Sequence, residues 1–449
     1  MKVHFIAIGG SAMHNLALAL HEKGYQVTGS DDEVLDPSRT RLMIAGILPK
    51  AEGWFPEKIT SDLDAIILGM HAHSDNPELA KAKELNLKIY SYPEYIYEQT
   101  KDKTRVVIGG SHGKTTITAM ILHVLQKLEI ECDYMVGAQL DGFTTMVKLS
   151  NSAKIAVIEG DEYLSSPIDR RPKFHLYKPT IGLISGIAWD HFNVFPTFEF
   201  YVEQFAIFAN MCEKSLVYSV TDKQAVKISE NLKNNILKIP YGIPKYTISE
   251  GVTSVQTKNG YIALEIFGQH NLNNMEGARN ICNQLGVEDA EFYAAISSFK
   301  GASKRLEKVK ITNQTAIYKD FAHSPSKLKA TTSALKEQYP NRELIACMEL
   351  HTYSSLNKEF IGQYKDSMES ADKAYIYYSE HTLKMKRLPE LSKDDVKFAF
   401  GKGNITVFNN SEELQNILLS TDWKNKNLLM MSSGNFDGID FKAMADKLI

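Results

Sequence analysis

Cysteine is scarce in this chain: Cys132, Cys212, Cys282 and Cys347 are the four in 449 residues. No two stand at metal-ligand spacing, so neither a disulfide framework nor a zinc module is encoded. Free thiols in a reducing compartment are the expectation. Long apolar runs are missing too. No stretch approaches the roughly 18 residues that a membrane-spanning helix needs. The opening Met-Lys-Val-His-Phe-Ile-Ala-Ile-Gly-Gly has only a short apolar segment and no cleavage-type sequence after it. That argues against a signal peptide, and a soluble cytoplasmic protein is expected. Nor is one sign of charge in excess: 51 Lys+Arg face 54 Asp+Glu, a net charge of −3. This balance argues against a surface that coats nucleic acid, but leaves room for a local basic pocket. No short-period repeat and no low-complexity segment is visible.

What is present is ordinary globular material, 43% hydrophobic and 23% charged. At about 150 residues per domain, the length suggests three domains. Short β-branched apolar runs alternate with helix-length segments, the signature of parallel sheets. Strands are predicted at residues 3–8, 26–30, 65–69 and 87–91 in a first set. A second set falls at 105–109, 155–158, 181–185 and 215–219, and a third at 316–318, 344–349, 374–378, 405–407 and 428–432. The polar stretches YEQTKDKT (97–104) and SFKGAS (298–303) are the candidate linkers.

The sharpest local signal runs from Val106 to Thr116, Val-Val-Ile-Gly-Gly-Ser-His-Gly-Lys-Thr-Thr, followed by an apolar helical pattern over 117–125. Glycines let backbone N–H groups approach a polyphosphate, and the helix N-terminus adds a positive end. Lys114 would neutralise β/γ-phosphates and the Thr115 hydroxyl would face Mg²⁺. The pattern G-x-x-x-x-G-K-[ST] is missed by one residue, because Ile108 stands where its first glycine belongs. Read alone, the segment fits a kinase, an ATPase, a GTPase or a ligase. Near the start, Ala7-Ile8-Gly9-Gly10-Ser11-Ala12 follows the first strand and Asp31 ends the second. This imitates a dinucleotide fingerprint with alanine in two of the three glycine positions. NAD, another nucleotide diphosphate and a purely structural turn all remain open there.

Taken in order, the motifs resemble those of the Mur ligases, ATP-dependent amide ligases of peptidoglycan metabolism. Their phosphate loop has the shorter form Gly-Thr-x-Gly-Lys-Thr, which Gly110-Ser111-His112-Gly113-Lys114-Thr115 matches with Ser for Thr. Glu159-Gly160-Asp161-Glu162 is similar to the family's acidic segment, and Asp190-His191 to its metal segment. Gly268-Gln269-His270-Asn271-Leu272-Asn273-Asn274 resembles Gly-x-His-Asn-x-x-Asn. Lys304-Arg305-Leu306-Glu307 and Asp320-Phe321-Ala322-His323-Ser324-Pro325 resemble the two C-terminal motifs.

The resemblance implies an α/β protein of three domains. These are a Rossmann-like N-terminal domain (1–98), a central P-loop ATPase-type parallel sheet domain (99–300) and a Rossmann-like C-terminal domain (301–449). The first domain is similar to that of members acting directly on UDP-N-acetylmuramate, through Thr28-Gly29-Ser30-Asp31 and Ser74-Asp75-Asn76-Pro77. One such branch adds L-alanine; the other adds the tripeptide L-alanyl-γ-D-glutamyl-meso-diaminopimelate. Glu162-Tyr163, the stretch SPIDRRPK at 166–173 and Met431 to Ile439 look more like the tripeptide branch, which is the preferred reading. His351-Thr352-Tyr353-Ser354 looks more like the alanine branch.

Residue by residue, the resemblance implies that Gly110, Ser111, His112, Gly113, Lys114, Thr115 and Thr116 hold the ATP phosphates. Thr115 and Glu159 would bind the first Mg²⁺, with Glu162 as the rival to Glu159. His191 would hold a second metal, with Asp161 or Glu162 near it. Asn271 and Asn274 would contact adenine and help place phosphate or metal. Arg305 and Asp320 would clamp phosphate and ribose. Gly9, Gly10, Ser11, Asp31, Ser74 and Asn76 would take the UDP-sugar. Lys114, Glu159, His191 and Arg305 would serve catalysis. The implied partners are small molecules, with neither nucleic acid nor membrane, and the implied state is a monomer or weak dimer. Three departures, Lys319 for Asp, Ser324 for His and Thr352 for Arg, also admit a nucleotide-binding regulatory protein with a decayed site.

Overall fold

The structure is a computed structural model that describes residues 1–140, 142–189, 194–302, 305–401 and 403–449. Each predicted strand is present, with ends displaced by at most two residues. The N-terminal sheet is parallel, in the order Gln26–Ser30, Lys2–Ile6, Ala65–Leu68, Ile89–Ser91. Val3, Phe5, Ile66 and Ile67 are fully buried, as strands covered on both faces require. The helix Ser11–Glu22 returns over this sheet and buries Leu16, Ala17 and Leu20.

The central sheet has seven strands, in the order Leu237–Tyr241, Ser215–Ser219, Ile181–Ile184, Thr104–Gly109, Ile155–Glu159, Asp133–Met135, Val147–Lys148. All neighbours are parallel except the last pair. Thr104–Gly109 lies inside the sheet. The chain leaves it toward Asp133–Met135 on one side and later fills Ile181–Ile184 on the other. This reversal opens a crevice at the carboxyl end of Thr104–Gly109, where α/β sheets bind ligands.

The C-terminal sheet runs Glu307–Ile311, Ala316–Asp320, Lys426–Met431, Glu343–Leu350, Lys373–Tyr378, Ile405–Phe408, with only the first pair antiparallel. An antiparallel meander, Tyr246–Ser249, Val252–Thr257, Gly260–Leu264, is separate. The chain divides into two compact units. One comprises 1–243 with 273–296; the other comprises 244–272 with 297–449.

Most of the strands that the apolar pattern did not reveal are edge or half-exposed ones; Asp133–Met135 is buried inside the central sheet but only three residues long. Glu307–Ile311 reads Glu-Lys-Val-Lys-Ile, and Leu237–Tyr241 is largely exposed. The first candidate linker is shorter than expected, because the helix Tyr92–Thr100 runs through its first half. Its Pro at the first turn and its Ser91–Glu94 capping box are the sequence signals for that helix. No helix among the described residues is long and apolar enough to cross a membrane.

Candidate active site

The segment after Thr104–Gly109 turns sharply and enters the helix Lys114–Lys127. Two glycines make the turn possible. Gly110 has φ +137°, and a Cβ on it would collide with the Ser185 hydroxyl. Gly113 has φ +79°, and its Cβ would lie 2.5 Å from Asn274 Oδ1. Both conformations penalise a side chain. The Ser185 hydroxyl also donates to the His112 carbonyl, which stitches the loop to the neighbouring strand end.

Lys114 is the first residue of the helix. Its Nζ donates to the Gly110 carbonyl at 2.7 Å and to Glu162 Oε2 at 2.5 Å. Burial works against the ammonium charge, but the Glu162, Asp161 and Glu159 carboxylates outweigh it and hold the lysine above its usual range. Thr115, the next residue, donates its hydroxyl to Glu159 Oε1 at 2.8 Å. The other oxygen, Oε2, accepts the Gly137 N–H at 2.8 Å. Burial raises the Glu159 carboxyl above its ordinary value. The two glutamates therefore have different occupations. Glu162 is the counter-ion of Lys114, and Glu159 shares a corner with the Thr115 hydroxyl and the Gly137 N–H. Asp161 pairs instead with Lys173 at 2.6 Å; burial would raise it, but Lys173 and Lys114 hold it low.

Pattern reading missed Tyr201. It is fully buried on the helix Phe198–Asn210. Its hydroxyl donates to Glu162 Oε1 at 3.0 Å and lies 2.8 Å from Ser111 Oγ. Ser111 Oγ in turn accepts the Ala188 N–H at 2.9 Å, and the Ser111 N–H donates to the Gly186 carbonyl. A continuous polar chain therefore links Ser111, Tyr201, Glu162 and Lys114. A tyrosine among Phe198, Phe200 and Phe205 carries no sequence signal that separates it from core aromatics.

Of the two asparagines three apart on the helix Gln269–Gln284, Asn274 abuts Gly113 of the loop. Asn271 donates to the Phe267 carbonyl at 3.0 Å. Beside it, burial pushes the His270 imidazole down to about 4, so the ring is neutral. His191 and Asp190 lie outside the described residues, as does Lys304. Among the described residues no three His, Cys, Asp or Glu side chains cluster as a ready-made metal cage.

In the N-terminal domain, the Gly9 N–H donates to Asp31 Oδ2 at 2.6 Å, and Gly10 caps the helix Ser11–Glu22. Burial is the main force raising the Asp31 carboxyl to about 6. Ala7 adopts φ +68°, so the place where the dinucleotide fingerprint has its first glycine keeps glycine-like geometry with an alanine. Ser11 and Ser74 are exposed. Asn76 acts locally, since its Oδ1 accepts the N–H groups of Glu78 and Leu79 and caps the helix Pro77–Glu84.

In the C-terminal sheet, Asp320 accepts backbone N–H groups from Leu306 and from Ala322, the latter at 2.6 Å. Burial raises its carboxyl, and Arg305 opposes the shift. The Arg305 guanidinium sits 5.2 Å from the centre of the Phe321 ring. The departures have local partners or settings. Lys319 pairs with Glu307 at 3.0 Å across the antiparallel strands. Ser324 stands at the cap position of the helix Pro325–Gln338. Thr352 Oγ1 accepts the Ser355 N–H and forms a turn.

Three family models match successive parts of the chain. "Mur ligase family, catalytic domain" matches residues 2–104, "Mur ligase middle domain" 108–282, and "Mur ligase, glutamate ligase domain" 304–434. A UDP-N-acetylmuramate–L-alanine ligase from Caldicellulosiruptor bescii is 33% identical over 393 residues, covering 84% of this chain and 83% of its own. The crystal structure of a UDP-N-acetylmuramate–alanine ligase from Thermotoga maritima superposes with a TM-score of 0.70 at 20% identity, covering 100% of this chain and 98% of its own. A murein peptide ligase from Psychrobacter arcticus superposes at 0.62 with 21% identity and the same coverage.

Proposed function

The chain belongs to the Mur ligase family of ATP-dependent acid–amino acid ligases of peptidoglycan synthesis, and from that premise we propose that it joins UDP-N-acetylmuramate to L-alanine. The observation that carries the ligase reading is the phosphate loop at the sheet's switch point. There Lys114 faces Glu162, and Thr115 faces Glu159. L-Alanine takes precedence over the tripeptide because the curated relative from C. bescii bears the alanine activity in its name and matches most of both chains. The tripeptide remains the second reading, on the strength of Glu162-Tyr163 and the 166–173 stretch.

A carboxylate does not acylate an amine at neutral pH, because resonance makes its carbon a poor electrophile. Transfer of the γ-phosphoryl group turns it into an acyl phosphate with a good leaving group. Amine attack then gives a tetrahedral intermediate that collapses to amide and phosphate. The protein's share is positioning and charge stabilisation. Lys114 leaves Glu162 to neutralise the transferring phosphate. The loop N–H groups and the helix N-terminus cradle the β-phosphate. Thr115 and Glu159 present two oxygen ligands in one buried corner, which suits a hard cation such as Mg²⁺. Bound there, that ion would neutralise phosphate charge. We assign His191 to a second metal, Asn274 to the phosphates, Asn271 to adenine, Arg305 and Asp320 to phosphate and ribose, and the Gly9–Asp31 turn to the UDP-sugar.

The test is phosphate release from purified protein with ATP, Mg²⁺ and UDP-N-acetylmuramate, offering L-alanine and the tripeptide separately. Release that depends on L-alanine supports the first reading. Release that depends only on the tripeptide replaces it with the second. ATP binding without amine-dependent release from either supports the decayed-site reading and overturns both.

A further inference from the structure

Tyr201 is fully buried on the helix Phe198–Asn210, so it acts on a substrate only through other residues. Its ring packs against Phe195 and Phe205, each at a centroid distance of 5.2 Å. Phenylalanine would fill that space equally well, so packing accounts for the ring and not for the hydroxyl. A hydroxyl taken out of water among aromatic rings is costly unless it is hydrogen-bonded. This one lies 3.0 Å from Glu162 Oε1 and 2.8 Å from Ser111 Oγ, which ties the phosphate loop to the counter-ion of its own lysine.

Chemistry fixes the direction of these bonds. As the counter-ion of Lys114, the Glu162 carboxylate only accepts, so the single Tyr201 proton goes to it. The Tyr201 oxygen then accepts from the Ser111 hydroxyl, and the Ser111 oxygen accepts the Ala188 N–H. Ala188, Ser111 and Tyr201 thus form a one-way series of donors that ends on Glu162. Donors in series polarise one another and strengthen the last bond. The Ser111 N–H goes to the Gly186 carbonyl, so both Ser111 donors are committed within the protein.

Lys114 has to leave Glu162 for the transferring phosphate, while Glu162 stays behind with a side chain 1% exposed. A buried carboxylate that gives up an ammonium partner depends more on the donors that stay with it. Tyr201 is one that need not move, because its ring is packed in place. Its bond to Glu162 is therefore stronger in the nucleotide-bound state than in the free one, and a difference between two states is what changes affinity. We propose that Tyr201 is a positioning residue for the nucleotide: its hydroxyl holds the Glu162 carboxylate while Lys114 passes from Glu162 to the phosphates. This rests on the phosphate loop being the ATP site, and adds to that reading the residue that controls how readily Lys114 is released.

The test is isothermal titration of the full-length protein with a non-hydrolysable ATP analogue and Mg²⁺. Tyr201→Phe should bind the analogue about tenfold more weakly than the parent, since the bond it loses is to a charged group. In a Glu162→Gln background the same substitution should change affinity by less than about twofold, because a neutral amide needs no compensation when Lys114 departs. A merely structural role for Tyr201 predicts the same loss in both backgrounds. Ser111→Ala removes the donor behind Tyr201 and keeps the tyrosine, so it carries the test if Tyr201→Phe fails to fold. It should weaken binding about two- to threefold, and that effect too should vanish with Glu162→Gln. Parent-like affinity in the two single variants, or an undiminished loss in the Glu162→Gln background, overturns the proposal. A Lys114→Ala variant that binds the analogue like the parent is a different result: it overturns the reading of the loop as the ATP site, and the proposal with it.

Discussion

Replacing Tyr201 with phenylalanine keeps the ring that packs against Phe195 and Phe205 and removes only a buried hydroxyl. That hydroxyl makes two hydrogen bonds, one to the Glu162 carboxylate at 3.0 Å and one with Ser111 Oγ at 2.8 Å. A bond to a charged group contributes about 1.5–3 kcal/mol and a neutral one about 0.5–1.5 kcal/mol. Glu162 keeps Lys114, and Ser111 keeps the Ala188 N–H, so neither group is left wholly unpaired. The expected loss is about 2–4 kcal/mol. The central strand beside the loop should report it, because opening there exposes the same groups. Amide hydrogen exchange over Thr104–Gly109, in the regime where opening is an equilibrium, should speed up by about 30-fold or more. Ser111→Ala should cost about 1 kcal/mol less in the Tyr201→Phe background than alone, because the shared bond is already gone. A change below about 0.5 kcal/mol, or full additivity of the two substitutions, would refute the view that Ser111, Tyr201 and Glu162 act as one connected group.

Three further outcomes are expected. Lys114→Ala should lower amine-dependent phosphate release by several orders of magnitude while circular dichroism stays unchanged; near-normal turnover removes the loop assignment. Gly113→Ala forces a Cβ to within 2.5 Å of Asn274 Oδ1 at φ +79°, so ATP affinity should fall at least tenfold, and an unchanged dissociation constant by titration would contradict it. Burial raises Asp31 to about 6 from 3.8, so the folded form holds an extra proton between those values. Asp31's contribution to stability is then fully present below about pH 4 and lost as pH climbs through 6. The stability of Asp31→Asn relative to the parent should accordingly rise across that window in urea titrations, and a difference independent of pH would contradict the assignment.

Much of the fold was legible because buried parallel strands must be apolar on both faces. Val106-Val107-Ile108 and Ile155 to Ile158 announce themselves wherever they fall in the chain. Glu307–Ile311 and the meander did not, because a strand with one wet face mixes polar residues into its pattern, Lys and Glu in the first and Thr, Ser and Gln in the second. The phosphate loop was equally legible. Gly110, Gly113, Lys114 and Thr115 are close neighbours in sequence, and their geometry follows from local backbone limits.

The sequence alone determined the alternation of strand and helix, the loop that faces phosphate and the family that the motif order implies. It left Glu159 and Glu162 undivided. Only the tertiary structure separates them, since Glu159 ends its strand beside Thr115 while Glu162 turns toward Lys114. Tyr201 belongs to the same class. Tyr201 is 90 positions from Ser111. Proximity of that kind comes from strand order and helix packing, not from any local propensity. Asn76 shows the converse: an Asx residue before a proline is a helix cap by local chemistry, and the fold uses it as one.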